Sequence, residues 1–470
     1  MQKIVVKNFR QITLAEIEIG NVLFLIGEQA SGKSTLAKLI YFFKSLKEDY
    51  FNLIYENANL SNDVLDKQFV NKIQDKFKVY FGYTSELAND FEIIFHYDIK
   101  VENRKPNSYL KLCKRNSSLN VQFEVKYFDE IKKQTKELVN EINSFTNSQT
   151  KPSENNYIAL ERAKARMMSG IEEKVNKLFY DDYVPMFFPA GRNITVSYPE
   201  QFQTLFFGNL YNTPKSNEDT VKSADMHLMK AFILHSKFLS DYFKSNNFDL
   251  LIKNNEQQLV SNRILSFFRT HAEYILQGKY DNSDGVEKIV FNAQLKKAVT
   301  INAASSGQQE AVRVIQDLFY LLYENQKSFR IIEEPEAHLF PKAQKKLIEL
   351  LALAINKTQS QVIITTHSPY VLSIFNNLLM YSEVAKNKPN ALENIEKHFG
   401  TTGLDKSQNE RINLLPSEVR AYALASSEEV YCHSILDEET GLIGENYLDT
   451  ITEELNDDFD TLYSLNFSTK

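Results

Sequence analysis

The chain has 470 residues, of which 43% are hydrophobic, and it carries a formal net charge of −7 at pH 7. This length accommodates about two or three domain-sized cores, or one core with large insertions, and the acidic balance disfavours a surface that coats nucleic acid broadly. A local basic groove is still compatible with it. Cys113 and Cys432 lie far apart and in no metal-ligand spacing, which argues against a zinc site and for thiols in a reducing compartment.

The amino terminus enters a predicted strand directly, over Lys3–Val6, without the hydrophobic region of a signal peptide. A second strand is predicted over Ile12–Ile19. No apolar run reaches the length that a membrane-spanning helix needs. We therefore expect a soluble, cytoplasmic protein with no membrane partner.

A phosphate-binding loop is predicted between a buried strand, Val22–Ile26, and a helix that begins at about Lys33. The spacing Gly-x4-Gly-Lys-Ser is the Walker A pattern. Its glycines let backbone N–H groups turn towards a phosphate chain, and the helix adds its positive N-terminal end. Lys33 is expected to reach the β- and γ-phosphates of ATP, and the Ser34 hydroxyl to bind Mg²⁺. The residues expected to contact the nucleotide here are Gly27, Glu28, Gln29, Ala30, Ser31, Gly32, Lys33, Ser34 and Thr35.

The next segment is predicted to be an antiparallel β region followed by helices. β-Branched and aromatic runs separated by turn formers indicate strands at Phe77–Tyr83, Phe91–Ile99, Tyr109–Lys114 and Leu119–Val125. Helical periodicity then predicts two helices joined by a polar linker and, after a strand at Tyr183–Phe188, two more. These helices are expected at about Asp129–Asn143, Tyr157–Leu178, Ala224–Ser245 and Gln257–Gln277.

A pair of carboxylates, Glu333 and Glu334, ends the short apolar strand that starts at Phe329. This is a Walker B pattern. Glu333 is expected to hold Mg²⁺ directly or through water, because a cation that bridges phosphates takes oxygen ligands. Glu334 is expected to orient and deprotonate the attacking water as general base. An acidic strand end is common in isolation, and the Walker A loop upstream is what favours this interpretation.

Two weaker patterns lie on either side of Walker B. Ser305 and Ser306 turn from a predicted strand into a long amphipathic helix, where N–H groups and hydroxyls can cradle an anion, although taken alone an ordinary serine N-cap explains them better. His367 ends the buried strand that starts at Gln361 and is placed to sense a γ-phosphate by hydrogen bonding. A lone histidine at such a position is more often structural.

The order Walker A, Ser-Ser-Gly-Gln-Gln, Walker B and strand-terminal histidine resembles the ATP-binding-cassette (ABC) ATPases of the SMC/RecF/OLD-like group. The resemblance covers roughly residues 1–45 and 180–375. It implies an α/β ABC-ATPase head with a P-loop parallel core sheet, an antiparallel β subdomain and a helical insertion. It also implies that two chains enclose two ATP molecules head to tail, in a dimer or a higher even oligomer, with the signature of one chain against the Walker A loop of the other. The signature would be Ser305, Ser306, Gly307, Gln308 and Gln309.

A narrower resemblance comes from the run Glu-Glu-Pro-Glu-Ala-His-Leu-Phe-Pro that begins at Glu333. It is similar to the OLD-type and PtuA-like AAA family ATPases of bacterial anti-phage systems. The stretch Pro-Ala-Gly-Arg that ends at Arg192 is similar to a Pro-Ala-x-Arg stretch often seen there.

Three features depart from the pattern of the group. Glu333 stands where most ABC proteins have Asp, and Gln29 and Ala30 stand where many RecF and SMC heads have Asn and Gly. Residues 375–470 show neither a Toprim nor a His-Asn-His nuclease pattern. The chain therefore resembles the ATPase without its nuclease.

The predicted organisation has four parts. Residues 1–125 form the N-terminal lobe with Walker A and the antiparallel β subdomain, and residues 126–280 form the helical insertion. Residues 281–375 form the C-terminal lobe with signature, Walker B and histidine, and residues 376–470 form an acidic helical extension.

The acidic extension contains no Lys or Arg between Arg420 and Lys470. An apolar stripe nevertheless recurs at helical spacing and predicts an amphipathic helix. The stripe consists of Leu448, Ile451, Leu455, Phe459 and Leu462. It is expected to pack either on the chain's own core or on a separate effector subunit, and the sequence leaves both open.

The leading hypothesis is an ATPase whose ATP-driven dimerisation and hydrolysis gate a separate effector, a nuclease or a toxin, in prokaryotic anti-phage defence. A second is a RecF/SMC-like DNA-repair ATPase that binds DNA directly, although its basic candidates stand among glutamates and fit a solvated helix face. A third is a scaffold held together by ATP with negligible turnover. The DNA-binding candidates are Arg162, Lys164, Arg166 and Lys174.

Overall fold

The computed structural model describes residues 2–99, 106–115, 118–147, 157–197, 224–244, 248–253, 261–292, 297–425, 430–444 and 455–462. The chain forms two compact units. The first comprises Met1–Ile19, Thr35–Pro185 and Asp219–His227, and the second comprises Gly20–Ser34, Met186–Glu218 and Leu228–Lys470. This division differs from the four sequential parts predicted above, because the chain leaves and re-enters each unit more than once.

The strands are β1 (Gln2–Phe9), β2 (Ile12–Ile19), β3 (Val22–Gly27), β4 (Glu92–Ile99), β5 (Pro106–Arg115), β6 (Ser118–Phe123), β7 (Val184–Phe188), β8 (Lys279–Asp281), β9 (Lys288–Asn292), β10 (Lys297–Thr300), β11 (Ser328–Glu333), β12 (Gln361–Thr365), β13 (Val419–Leu424) and β14 (Cys432–Ser434). The helices are α1 (Lys33–Lys44), α2 (Leu46–Glu56), α3 (Asn62–Phe81), α4 (Val125–Asn147), α5 (Tyr157–Leu178), α6 (Asn193–Ser197), α7 (Ala224–Tyr242), α8 (Phe248–Lys253), α9 (Asn262–Leu276), α10 (Ser306–Tyr323), α11 (Pro341–Thr358), α12 (Pro369–Asn387) and α13 (Leu392–Phe399). Residues 455–462 form one more helical segment.

The first unit is built on an antiparallel sheet with the strand order β2-β1-β4-β5-β6. Alternate residues of β1, Ile4 and Val6, are fully buried, as expected for a strand with one face on a core. The sheet confirms the predicted antiparallel β subdomain.

One predicted strand of this unit, Phe77–Tyr83, is wrong, because most of it is the last part of helix α3. Phe69, Ile73, Phe77 and Phe81 recur every four residues and are all buried, so they form one apolar face of the helix. The aromatic content of the short run favoured a strand. The four-residue period becomes visible only over the whole of α3.

The second unit contains a sheet with the order β14-β13-β3-β12-β11-β7. Its strands β13, β3, β12 and β11 are parallel to their neighbours in this series. Strands β3 and β11 are buried at every position, as is typical of parallel strands with both faces covered. This confirms the predicted α/β class with a parallel core sheet that includes the P-loop strand.

Residues 376–470, predicted as a helical extension, also contain strands of the core sheet. Strand β13 pairs in parallel with β3 from Val419 to Leu424 and is part of the core sheet. The six residues of β13 include a charged arginine, and nothing in so short a run identifies its sheet partner. Of the predicted apolar stripe, Leu448 and Ile451 lie outside the described residues. The other three members lie in the segment 455–462 and are exposed. Among the described residues, we find no helix with the length and hydropathy that a bilayer crossing requires.

Candidate phosphate-binding and acidic site

The predicted phosphate-binding loop connects β3, which ends at Gly27, to α1, which begins at Lys33. A Cβ at Gly27 would lie 2.4 Å from Ser31 Oγ and 2.5 Å from the Leu424 carbonyl oxygen. Gly32 has a φ of +98°, in the left-handed region that side chains disfavour. Both glycines are therefore required by the local backbone, one for close approach and one for its dihedral angle.

The backbone of Ala30 is strained, because its φ of +64° lies in the left-handed region. A left-handed conformation costs a residue with a Cβ about 1–2 kcal/mol relative to glycine. The loop thus keeps the local conformation that glycine would adopt and stores a small strain in doing so.

Lys33 is turned back onto its own loop. Its Nζ donates hydrogen bonds to the carbonyl oxygens of Gly27, at 2.7 Å, and Glu28, at 2.8 Å. Burial lowers the pKa of Lys33 to about 8, and the charges of Glu334 and Glu333 oppose this shift. The ammonium group is thus partly desolvated within electrostatic reach of the acidic pair. Ser34, next along α1, is exposed, and Thr35 is buried.

The acidic pair, Glu333 and Glu334, lies at the end of β11. Strand β11 is next to β12, and β12 is next to the P-loop strand β3. Glu333 pairs in register with Thr365 of β12, and Thr365 pairs with Leu25 of β3. Because the three strands are parallel, their carboxyl ends share one edge of the sheet, where ligands of open α/β sheets bind. Glu334 has a φ of +45° and is half-buried, and its N–H donates to the Thr365 carbonyl at 2.9 Å.

The donor set at this edge fits a divalent cation that also binds phosphates. Glu333 is buried, its Oε2 accepts a hydrogen bond from the Ala190 N–H at 3.1 Å, and its Oε1 is buried with no hydrogen-bond partner among the described residues. An unsatisfied buried carboxylate oxygen is costly unless something binds it. In the described part of the chain, no group of three or more His, Cys, Asp or Glu side chains is arranged to hold a metal. Mg²⁺ typically takes one or two carboxylates together with substrate phosphates, which suits a single carboxylate here.

His367 follows β12 at the same edge, on an exposed position of the chain. Partial burial lowers its pKa, the charge of Lys33 lowers it further, and Glu334 opposes both effects. The backbone N–H of His367 donates to Glu336 Oε1 at 3.2 Å. The structure therefore brings Lys33, Glu333, Glu334 and His367 within electrostatic reach of one another.

The Ser-Ser-Gly-Gln-Gln segment caps α10. Ser305 Oγ accepts from the Gln308 N–H at 3.4 Å, and Gln308 Oε1 accepts from the Ser305 N–H at 3.0 Å, which together make a capping box. Gln309 Nε2 donates to the carbonyls of Ile301 and Asn302. The two glutamines thus hold the turn in shape. Ser305 and Ser306 remain exposed at the N-terminus of the helix.

Gly307, inside this segment, is buried against the turn after Walker B. A Cβ there would lie 2.5 Å from the His338 carbonyl oxygen. No larger residue fits without moving one of the two backbones. The signature turn and the segment that follows Walker B are therefore in direct contact within one chain.

Two residues of the site were missed by sequence reasoning. Arg192 was noted only for a resemblance, yet its guanidinium is buried and bonded to the backbone of both Walker B acids. Tyr431, about four hundred residues from the loop, donates its hydroxyl hydrogen to the Ser31 carbonyl oxygen. Burial raises the pKa of Tyr431 to about 12, so the hydroxyl stays a donor at neutral pH. Nothing near Tyr431 in the sequence signals this contact.

In this site a P-loop leads from a parallel strand into a helix, and it faces two carboxylates at the end of another parallel strand of the same sheet. This arrangement defines the class of P-loop NTPases. The chain belongs to the AAA ATPase domain family, whose model matches residues 1–372. No functionally curated protein matches the chain in sequence.

Three solved structures are similar to the chain. One is the SMC head domain from Thermotoga maritima, with 11% identity and a TM-score of 0.34, covering 79% of this chain and 90% of that chain. Another is an SMC head bound to the C-winged helix domain of ScpA, with 12% identity and a TM-score of 0.32 over 79% of this chain and 90% of that one. The third is the recombination mediator RecF with ATPrS, with 13% identity and a TM-score of 0.29 over 78% and 92%.

Proposed function

We propose that this protein binds ATP with Mg²⁺ at the edge formed by β3, β12 and β11 and hydrolyses it. The observation that carries the proposal is the gathering of Lys33, Glu333, Glu334 and His367 at the carboxyl ends of these parallel strands. A cation-bearing loop, two carboxylates and an imidazole at one sheet edge are the groups that phosphoryl transfer to water requires.

Each side chain has a defined task in this proposal. Lys33 exchanges its two loop carbonyls for the β- and γ-phosphate oxygens, and Ser34 and Glu333 hold the metal, which neutralises developing phosphate charge when bound. Glu334 accepts a hydrogen bond from the attacking water and takes its proton. His367, whose lowered pKa keeps it neutral at pH 7, donates one ring N–H to the γ-phosphate.

We further propose that two chains enclose two ATP molecules head to tail. Ser305 and Ser306 are exposed at the N-terminus of a long helix, where the Ser306 hydroxyl and the positive end of the helix suit an anion. In this arrangement Ser306 of one copy approaches the γ-phosphate held by Lys33 of the other. ATP then stabilises the dimer, and hydrolysis releases it. Higher even oligomers can be built from the same contact.

The proposed role of this cycle is to gate a separate effector, a nuclease or a toxin, in prokaryotic anti-phage defence. The support is the Glu-Glu-Pro-Glu-Ala-His-Leu-Phe-Pro run, similar to OLD-type and PtuA-like ATPases, and the missing nuclease pattern after residue 375. A RecF-like role on DNA is the second candidate, favoured by the exposure of Arg162, Lys164 and Arg166 on α5. Lys174 is already paired with Glu141 at 2.5 Å. A scaffold with bound ATP and negligible turnover is the third.

Glu334→Gln tests the proposal. The amide keeps the shape of the side chain but cannot take a proton, so we expect normal ATP binding, a loss of turnover of about 100-fold or more, and accumulation of an ATP-bound dimer in size-exclusion chromatography with light scattering. The matched control is Glu393→Gln, at an exposed position of α13, which should leave turnover unchanged. Unchanged turnover in Glu334→Gln would remove Glu334 from its role. Turnover without any nucleotide-dependent dimer would refute the head-to-tail arrangement alone, and undetectable turnover in the wild type would favour the scaffold.

A further inference from the structure

A groove in the second unit lies between α9, α11 and the end of α13, and its volume is about 480 Å³. Arg263 comes from α9, Lys346 from α11, and Lys397 and His398 from the last turn of α13. None of the described residues that line the groove is acidic. In a chain with a net charge of −7, this is a distinct local concentration of positive charge.

Glu349, a buried carboxylate, compensates part of this charge. Glu349 accepts hydrogen bonds from His271 at 2.9 Å and from Lys346 at 3.0 Å, and it lies 3.8 Å from Lys345. One negative charge is thus shared among three basic groups. Arg263, fixed by a hydrogen bond to the Gly403 carbonyl at 2.9 Å, and Lys397 are exposed and add to the surplus.

The same groove also has apolar lining, formed by Phe267, Phe399 and Leu404. Phe399 is held by stacking on Tyr381, with ring centroids 5.1 Å apart, and the Lys345 ammonium lies 5.4 Å from its ring centroid. A ligand that offered only negative charge would leave this lining uncovered. The groove suits a ligand that combines carboxylates with large apolar side chains.

The chain itself carries such a ligand in the helical segment 455–462. Leu455, Phe459 and Leu462 recur at i, i+4 and i+7, so they share one face, and they are 60%, 63% and 66% exposed. Asp457, Asp458 and Asp460 lie on the same short helix. No Lys or Arg occurs between Arg420 and Lys470 to offset them.

We infer that the acidic helical segment of one copy of this chain docks into the basic groove of a second copy. Charge complementarity and matching apolar surface support this pairing. The contact involves neither the P-loop nor the signature turn. It goes beyond the proposed function and does not require ATP.

Charge reversal in the full-length protein tests this docking. The groove variant is Arg263→Glu with Lys397→Glu, and the tail variant is Asp457→Lys with Asp458→Lys and Asp460→Lys. In sedimentation equilibrium without nucleotide, we expect the wild type to self-associate and each variant to bind its own kind about tenfold or more weakly. An equimolar mixture of the two variants should regain the wild-type Kd, because each reversed tail then meets a reversed groove and each native tail meets a native groove.

The control is Arg162→Glu with Arg166→Glu, which changes the net charge by as much as the groove variant does, at exposed positions of α5, and should leave self-association unchanged. A wild type that stays monomeric, or a mixture that associates no better than either variant alone, would overturn the inference. A third result would also overturn it: the wild type binds a fluorescein-labelled single-stranded oligonucleotide, and the groove variant loses this binding but self-associates like the wild type. Repeating the series with Lys33→Ala separates this contact from the ATP-dependent dimer, since only the latter needs Lys33.

Discussion

Arg192 and Glu333 are joined by a hydrogen bond of 2.8 Å from the guanidinium Nη1 to the Glu333 carbonyl oxygen. The same buried guanidinium donates from Nη2 to the Glu334 carbonyl at 3.1 Å and from Nε to the carbonyl of Glu310 on α10. Its charge is balanced by the buried Glu310 carboxylate, 3.1 Å from Nε. The Arg192 side chain therefore connects the end of strand β11 to helix α10. By holding the backbone of Glu333 and Glu334, it fixes the positions from which both carboxylate side chains extend.

Arg192→Ala should destabilise the protein by about 3–5 kcal/mol, because it leaves the buried carboxylate of Glu310 without the guanidinium that faces it. Urea denaturation measures this loss. The double variant Arg192→Ala with Glu310→Gln removes the orphaned charge and should recover part of the stability. Should the double variant lose the sum of the two single effects, the pair is not coupled and the assignment fails.

Gly27→Ala should destabilise the protein by about 2 kcal/mol or more, since the new Cβ would lie within 2.5 Å of the Leu424 backbone oxygen and of Ser31 Oγ. Ala30→Gly should do the opposite and raise stability by about 0.5 kcal/mol, because removal of left-handed strain exceeds the added freedom of the unfolded chain. The two variants change one methyl group each, so their opposite signs in thermal denaturation are a matched test of the loop's backbone. Equal effects would contradict the conformations described here.

Lys33 gives the nucleotide-free protein a defined pH dependence. Its pKa falls from 10.5 to about 8 on folding, so between these values the unfolded chain binds more protons and stability rises with pH. At neutral pH, where both states are charged, burial of the ammonium is a net cost. We discount the cost for solvent at the open side of the loop to about 1–2 kcal/mol.

Lys33→Met should therefore stabilise the nucleotide-free protein by that amount at about pH 7 and by only about a quarter of it at about pH 10, while it abolishes ATP binding. Urea midpoints of variant and wild type at the two pH values measure this. A difference between variant and wild type that is independent of pH would show that Lys33 is not desolvated in the folded state.

Tyr431→Phe removes the hydrogen bond to the Ser31 carbonyl and nothing else, since the ring stays buried. The loop loses one restraint, so we expect ATP to bind about threefold to tenfold more weakly, in line with one neutral hydrogen bond of about 0.5–1.5 kcal/mol. Fluorescent ATP-analogue titration measures the change. Tyr370→Phe, at a position 57% exposed, is the control and should bind like the wild type.

The local chemistry of this protein could be predicted from the order of its amino acids. The loop from Gly27 to Ser34 and the carboxylate pair at Glu333 were predictable because each is a short-range pattern. Each also follows a strand whose consecutive apolar residues indicate that it is buried. The antiparallel β region was predictable for the same reason, except at Phe77–Tyr83. These seven residues are too few to show the four-residue repeat of buried side chains that runs along helix α3.

Which distant segments complete the site became known from the folded structure. Strand β13 lies beside β3, Tyr431 reaches Ser31, and Arg192 joins the backbone of Walker B to α10. These contacts join residues far apart in the chain, and their partners are backbone carbonyl oxygens, which every residue type offers. A backbone acceptor leaves no trace in the amino-acid sequence, so the partner of a buried arginine or tyrosine becomes known only when the sheet has been assembled.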